Sequence, residues 1–278
     1  MVIFRRIIRR PTALFGLIVL TIYFAAALIG PLLAQFDPLD IDPVNRFALP
    51  NSTNWLGTDN LGRDTFTRII FGARVSLSIS FIGVLSGAVI GILLGVLAGY
   101  FGRVVDSLIS RFIDVLLAFP GLLLAIGIVA VLGPGVQNTT VAVAVFSIPS
   151  IARMVRIVVI SLRGLEYVDA CKVMGASNAR IIFTHIIPNA ASQITVNVTL
   201  DFGTAILVAS SLSFLGLGVP PPSPEWGAML ALARESIRAH PMQSIIPGLV
   251  ITFAVLSFSM VGDGLRDALD PKLKNKYL

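Results

Sequence analysis

The sequence predicts an all-α integral membrane protein that crosses the bilayer six times. Three observations carry that reading. Of 278 residues, 55% are hydrophobic and only 13% charged, against roughly a quarter charged in a soluble domain. The apolar residues gather into six stretches, each close to the roughly 20 residues a helix needs to cross the hydrocarbon. The basic residues between the stretches are segregated. With six spans, fifteen of the 21 Lys and Arg fall on the side of the chain ends and six on the other. The positive-inside rule then puts both ends in the cytoplasm. A net charge of +6 would point to nucleic acid in a soluble chain; here it is the basic flank of membrane helices.

The first span covers about 12–34, behind Arg5, Arg6, Arg9 and Arg10. A basic start and Ala25-Ala26-Ala27 imitate a cleaved signal peptide, but the apolar run exceeds the roughly 7–15 residues of a signal core, so a retained helix is expected. The others cover about 75–99, 112–132, 140–160, 192–216 and 245–262. Pro120, Pro149 and Pro247 lie within them, as membrane helices tolerate. Three segments outside the bilayer are substantial: outer segments 35–74 and 217–244, and inner segment 161–191. None is long enough for a catalytic domain, so a motor, if there is one, sits on another chain.

Within the spans, Gly83, Gly87, Gly91, Gly95 and Gly99 recur every fourth residue. Such spacing lets another helix approach closely; the neighbour can belong to this chain or to a partner. Asp114 lies one turn from Arg111, a spacing that favours an ion pair. Asn197 and Asp201 share one side of the fifth span, and an ionisable group there is a functional candidate, for the substrate path or for a bond to a partner. Arg153 and Arg156, at the inner end of the fourth span, are expected to reach the headgroups.

Cys171 is the only cysteine, and the two histidines, His185 and His240, lie far apart in sequence. No internal disulfide can form, and no metal site is expected. The segment Gly57–Asp64 has the glycine spacing of a phosphate loop. Arg63 and Asp64 replace the Lys and Ser/Thr that such a loop needs, so a structural turn on the outer surface is the better reading.

The inner segment reads EYVDACKVMGASNARIIFTHIIPN. Tyr167, Ala170, Cys171 and Met174 fall at i, i+3, i+4 and i+7, one apolar stripe of a helix. Glu166, Asp169 and Lys172 lie mainly off it. Gly175 stands where a left-handed cap belongs, Ser177 can cap a second short helix, and Pro188 would end it. So short a helix needs something to pack on. A groove on another protein, the chain's own spans and the membrane surface remain open.

Glu166, Ala170, Gly175 and Pro188 match the EAA loop of ABC importer permeases. WLGTDNLGRDTFTRIIFGARVSL (55–77), RFIDVLLAFPGLLLAI (111–126), SLSFLGLGVPPPSPEWGAML (211–230) and VGDGLRDALDP (261–271) resemble the second permease subunit of dipeptide, oligopeptide, glutathione and nickel importers. Cys171 departs from the pattern, standing where that family usually has a second alanine. The resemblance implies a type I ABC importer permease fold. It also implies that the loop, with Glu166, Tyr167, Asp169, Ala170, Cys171, Met174 and Gly175, couples the permease to an ATPase. Expected partners are a second homologous permease, two ATPase subunits that hold the ATP and magnesium, and an extracytoplasmic substrate-binding protein. This chain is expected to bind no cofactor or metal and to catalyse nothing itself.

The chain then divides into 1–74 (cytoplasmic tail, first transmembrane helix and outer segment), 75–265 (permease core with the coupling loop at 161–191) and 266–278 (cytoplasmic tail). The expected function is import of di- or oligopeptides across a prokaryotic cytoplasmic membrane. Glutathione or chelated nickel are alternative substrates for the same machine. An ion-gradient-driven secondary transporter is the alternative of another class.

Overall fold

The computed structural model describes residues 10–269; the basic residues Arg5, Arg6, Arg9, Lys272, Lys274 and Lys276 lie outside them. The described residues form helices and connecting turns. Helix α1 is Pro11–Leu33, α2 Thr65–Phe101, α3 Arg103–Leu117, α4 Gly121–Leu132, α5 Val136–Arg163 and α6 Glu166–Val173. They are followed by α7 Asn178–Ile181, a π-helical turn at Ile182–Ile186, α8 Ile187–Phe214, α9 Trp226–Ala233 and α10 Met242–Leu269. Five helical stretches are long and apolar enough to cross a membrane, namely α1, α2, α5, the continuous stretch Asn178–Phe214, and α10. Two edges differ from expectation. Helix α2 begins at Thr65, inside the predicted outer segment, and α10 runs to Leu269, past the predicted start of the C-terminal tail.

The third predicted span, 112–132, is not one straight helix. It is part of the pair α3 and α4, bent by 86° across Ala118–Pro120. Pro120 has no N–H to continue the ladder and biases Phe119 away from helical geometry, which breaks the rod there. The pair still carries the chain back to the side on which α2 began, as the glycine stripe of α2 shows. Built Cβ atoms on Gly87, Gly91, Gly95 and Gly99 would come within 2.5–3.0 Å of the carbonyl oxygens of Ala144, Ile148, Ala152 and Arg156 of α5. Gly83 meets Thr140 and Val143 in the same way. Each glycine therefore faces a residue a fixed distance further along the chain, so α2 and α5 run parallel. The segment between them must return to the side on which α2 began. This also settles the neighbour of the stripe: it is a helix of the same chain, held at backbone contact because no side chain separates the two.

The remaining spans close around this seam. Helix α1 runs antiparallel to α10: Ala13 packs with Ala268, Arg10 pairs with Asp267, and the Tyr23 hydroxyl donates to Val250 O at 3.1 Å. An aromatic knot joins four spans, with Phe81 of α2 stacked on Phe202 of α8 at 4.2 Å and Phe24 of α1 edge-on to Phe81. Phe258 of α10 completes it, tilted against Phe202 at 5.5 Å. A second cluster at the inner end gathers Val155, Val159, Val168, Ile181 and Ile186. It seats the inner loop on α2 and α5.

Candidate functional site

The inner loop folds as a short helix, a tight turn and a second helix. Gly175 takes φ +79° after α6, a conformation that a side chain would strain. Its N–H donates to Lys172 O at 3.0 Å, and the Ala176 N–H to Cys171 O at 3.0 Å, closing the helix end. Ser177 Oγ accepts from the Arg180 N–H at 3.3 Å and starts α7. Pro188 does not end that second helix. The chain passes through the π-helical turn and continues as α8, with Pro188 in its first turn. A proline ring crowds the carbonyl four residues earlier, and widening the preceding turn accommodates it without a break.

The orientation of α6 differs from the single stripe expected. Val168 is fully buried in the inner cluster, and Cys171 is half-buried beside it. Tyr167, Ala170 and Met174 point out of the chain with Val173; Met174 is 78% and Val173 88% exposed. The helix is thus apolar on two faces: one anchors it to the spans and the other is presented outward. Val168 was the residue missed. Apolar residues at 168 and 171 as well as at 167, 170 and 174 were the available signal, since a helix apolar on several sides is covered on several sides. Glu166 is exposed at the first turn and Lys172 donates to Asp169 at 2.8 Å, charges placed to suit the helix dipole.

Cys171 and His185, far apart in the helical pattern, meet across the loop with Sγ and Nε2 3.7 Å apart. Asn189 ties the same corner by donating to His185 O at 2.6 Å and to the Tyr167 hydroxyl at 3.4 Å. Among the described residues no group of three His, Cys, Asp or Glu side chains is placed to hold a metal.

Asn197 and Asp201 lie on α8, as expected, but are not bonded to each other. The Asn197 amide donates back to Gln193 O at 2.9 Å. Asp201 Oδ2 is enclosed without a hydrogen-bond partner among the described residues. Asp114 does not pair with Arg111. It accepts from Arg153 of α5 at 2.5 Å, and Asp106 takes Arg156 in a two-pronged pair at 2.5 and 2.7 Å. Both arginines therefore reach carboxylates of α3 rather than headgroups. The neighbour three residues away in sequence lost to one on another helix because α3 lies across α5 at Arg153 and Arg156.

The outer surface holds a network that the sequence reading had not assigned. Arg63 and Arg68 are almost wholly buried and share Asp59, at 2.7 and 3.4 Å. Arg68 also donates to Pro38 O at 2.8 Å and Pro222 O at 3.4 Å, joining the two outer segments. Asp64 caps α2 by accepting from the Thr67 N–H at 2.7 Å. The phosphate-loop look-alike is therefore a closed turn whose arginine is already engaged. Glu225, fully buried, accepts from Ser76 Oγ at 2.9 Å and from the Ala228 N–H at 2.8 Å, fixing α9 against α2. Trp226 fills the space beside it, its indole N–H donating to Ile69 O at 3.1 Å.

Comparison with known proteins matches this arrangement to two family descriptions. Residues 91–275 match the binding-protein-dependent transport system inner membrane component, and residues 2–50 the N-terminal TM domain of oligopeptide transport permease C. The dipeptide transport system permease protein DppC of Alkalihalophilus pseudofirmus is 48% identical over 98% of this chain and 90% of its own length. The glutathione transport system permease protein GsiD of Pectobacterium atrosepticum is 48% identical with the same coverage of both chains. Among solved structures, the inward-facing MetNI methionine ABC transporter superposes with a TM-score of 0.60 at 19% identity, over 73% of this chain and 97% of that one. An amino acid ABC transporter gives 0.55 at 17% identity, over 70% and 90%. The six-crossing helical fold is that of a type I ABC importer permease. With a family match over residues 91–275 and relatives 48% identical over 98% of this chain and 90% of theirs, the chain belongs to the binding-protein-dependent transport system inner membrane components.

Proposed function

We propose that this chain is a permease subunit of an ATP-driven importer that moves di- or oligopeptides across a prokaryotic cytoplasmic membrane by alternating access. The observation that carries the reading is the outward apolar face of α6. Val168 anchors the helix, Gly175 closes it, and Tyr167, Ala170, Val173 and Met174 are left uncovered by the chain. Such a face suits a groove on an ATPase subunit. Glu166, Tyr167, Asp169, Ala170, Cys171, Met174 and Gly175 form the coupling site. ATP and magnesium belong to two separate ATPase subunits, and this chain hydrolyses nothing.

A second homologous permease completes the pathway, and an extracytoplasmic binding protein delivers the substrate. Six crossings keep both ends on one side, and the basic segments put that side in the cytoplasm. The division into 1–74, a core at 75–265 and 266–278 belongs to this reading. The core keeps the coupling loop, while the first part adds α1 and the outer network. Asn197 and Asp201 are assigned to the substrate path. On α8 they neighbour the exposed Gln193 and Thr204, a polar run that lipid would not favour.

Glutathione is the second reading, because the GsiD and DppC relatives are equally similar. Glutathione is itself a short peptide, so the same path serves both. The test is ATPase activity of the chain co-expressed with its neighbouring permease and ATPase genes in lipid nanodiscs. Wild type is expected to respond to loaded binding protein, and Glu166→Ala and Gly175→Arg to lose that response. A chain that purifies alone as a stable assembly and transports peptide on a proton gradient without ATP sinks the proposal and favours a secondary transporter.

A further inference from the structure

Helix α3 sits at the inner end of the molecule in an orientation that a spanning helix would not take. Asp106 and Asp114 are eight residues apart, about 12 Å along α3. Their partners Arg156 and Arg153 are separated by less than one turn of α5, about 4.5 Å. So α3 lies across α5 instead of along it, and the 86° bend then turns the chain into α4. Helix α4 accompanies only the outer part of α5: Gly121, at its start, abuts Phe146, and the turn after its end is held by Asn138. From Val136 to Arg153 is about 26 Å of helix, close to the thickness of the hydrocarbon. With α5 upright, α3 therefore lies at the inner boundary of the bilayer, in its plane.

The two faces of α3 differ in kind. Asp106, Ser110 and Asp114 turn to α5, and Ile113 is buried. On the other side Val104, Leu108, Phe112 and Val115 fall within about 80° of one another at 100° per residue. They are 54–71% exposed. At the bend Phe119 adjoins Leu123 and Val131, which carry the apolar surface on into α4. The charge balance is also one-sided. Both acids of α3 are neutralised by arginines of α5, while Arg103 and Arg111 are exposed and make no ion pair among the described residues. Arg111 flanks the apolar stripe.

We propose that α3 is an interfacial helix whose stripe of Val104, Leu108, Phe112 and Val115 embeds among acyl chains at the cytoplasmic boundary of the bilayer, with Arg103 and Arg111 directed to anionic headgroups. In-plane orientation, an apolar stripe continuous with the exposed apolar surface of α4, and surplus positive charge are what such a surface recognises. The Asp106–Arg156 and Asp114–Arg153 pairs then tie the membrane surface to α5, the span that leads straight into α6.

The test uses the full complex, with partner permease and ATPase subunits, in nanodiscs. Single nitroxide labels are placed at 104, 108, 112 and 115, and at Ser107 as the polar-face reference, in a Cys171→Ala chain that has no other cysteine. Power saturation compares collision with oxygen, which concentrates in lipid, and with a water-soluble nickel chelate. The four stripe positions are expected to favour oxygen, and Ser107 to favour nickel. Nickel access along the stripe means an aqueous cavity, and access by neither reagent means cover by a partner subunit; either result overturns the proposal. Replacing part of the phosphatidylcholine with phosphatidylglycerol is expected to shift the label at Phe112 deeper, and Arg111→Gln to abolish the shift. No shift in the chain that keeps Arg111, or an equal shift in the Arg111→Gln chain, rejects the role given to the headgroups.

Discussion

The outer and inner ends of this molecule are finished in opposite ways. At the outer end, charges are buried and paired within the chain. Arg63, Arg68 and Glu225 are each no more than 2% exposed, and Asp59, Ser76 and the backbone of both outer segments answer them. At the inner end the Asp114–Arg153 pair is more than half exposed, and the apolar residues of α3 and α6 face outward. The outer end draws the partners of its buried charges from within one chain, which offsets the cost of burying them. The inner end is completed by something else: an ATPase against α6 and the bilayer against α3, on the readings proposed above. On those readings, buried charge is concentrated at one end and contact with partners at the other.

That contrast breaks if substitutions at the two ends cost the same. The largest loss is expected from Asp59→Ala, which strands two buried arginines. Removing one partner from a buried pair costs about 3–5 kcal/mol, and thermal melting of the purified complex should show it. Next comes the helix seam. Gly87→Ala drives a methyl to within 2.5 Å of Ala144 O, and overpacking of that kind costs about 1–3 kcal/mol. Gly127→Ala is the control: nothing lies within 4 Å of its added methyl, so the melting temperature should hold or rise.

At the inner end the expected stability losses shrink. Asp114→Asn removes an exposed pair and should cost less than about 1 kcal/mol. Met174→Ser alters a surface residue, within about 0.5 kcal/mol of wild type, yet should abolish stimulation of ATP hydrolysis by loaded binding protein. A melting loss at Met174 as large as at Asp59 would mean that the chain's own fold depends on that face.

The spans were legible because burying apolar length in lipid is a local property, summed over about 20 neighbouring residues. Gly175 was legible for the same reason, since the end of a helix demands a left-handed residue at that position. What could not be read depended on distant partners. The preference of Asp114 for Arg153 over Arg111 follows from the crossing of α3 and α5, 39 residues apart in sequence. The bend at Pro120 looked like an ordinary proline in a long apolar run. The face of α6 that turns inward is decided by the cluster around Val155 and Ile186, which periodicity within the loop does not contain. Glu225 and Arg68 fall in the two segments predicted to lie outside the bilayer, and only the contact between those segments encloses them.

The fixed spacing of contacts between α2 and α5 has a mechanical consequence. Two rods in contact at five successive turns, carbonyl against glycine, resist sliding or rolling on one another. They tilt as a single beam. Helix α5 is about 42 Å long at 1.5 Å per residue, and a tilt of about 5° displaces one end past the other by roughly 4 Å. Since α6 follows Arg163 after only Gly164 and Leu165, a push on α6 is applied directly to the tip of that beam. The opposite tip carries the turn Gly133–Gly135, whose Gly135 N–H donates to Gly218 O of the second outer segment at 2.8 Å. On the coupling reading proposed above, a few ångströms of travel on one face of the membrane is carried along this beam toward the other.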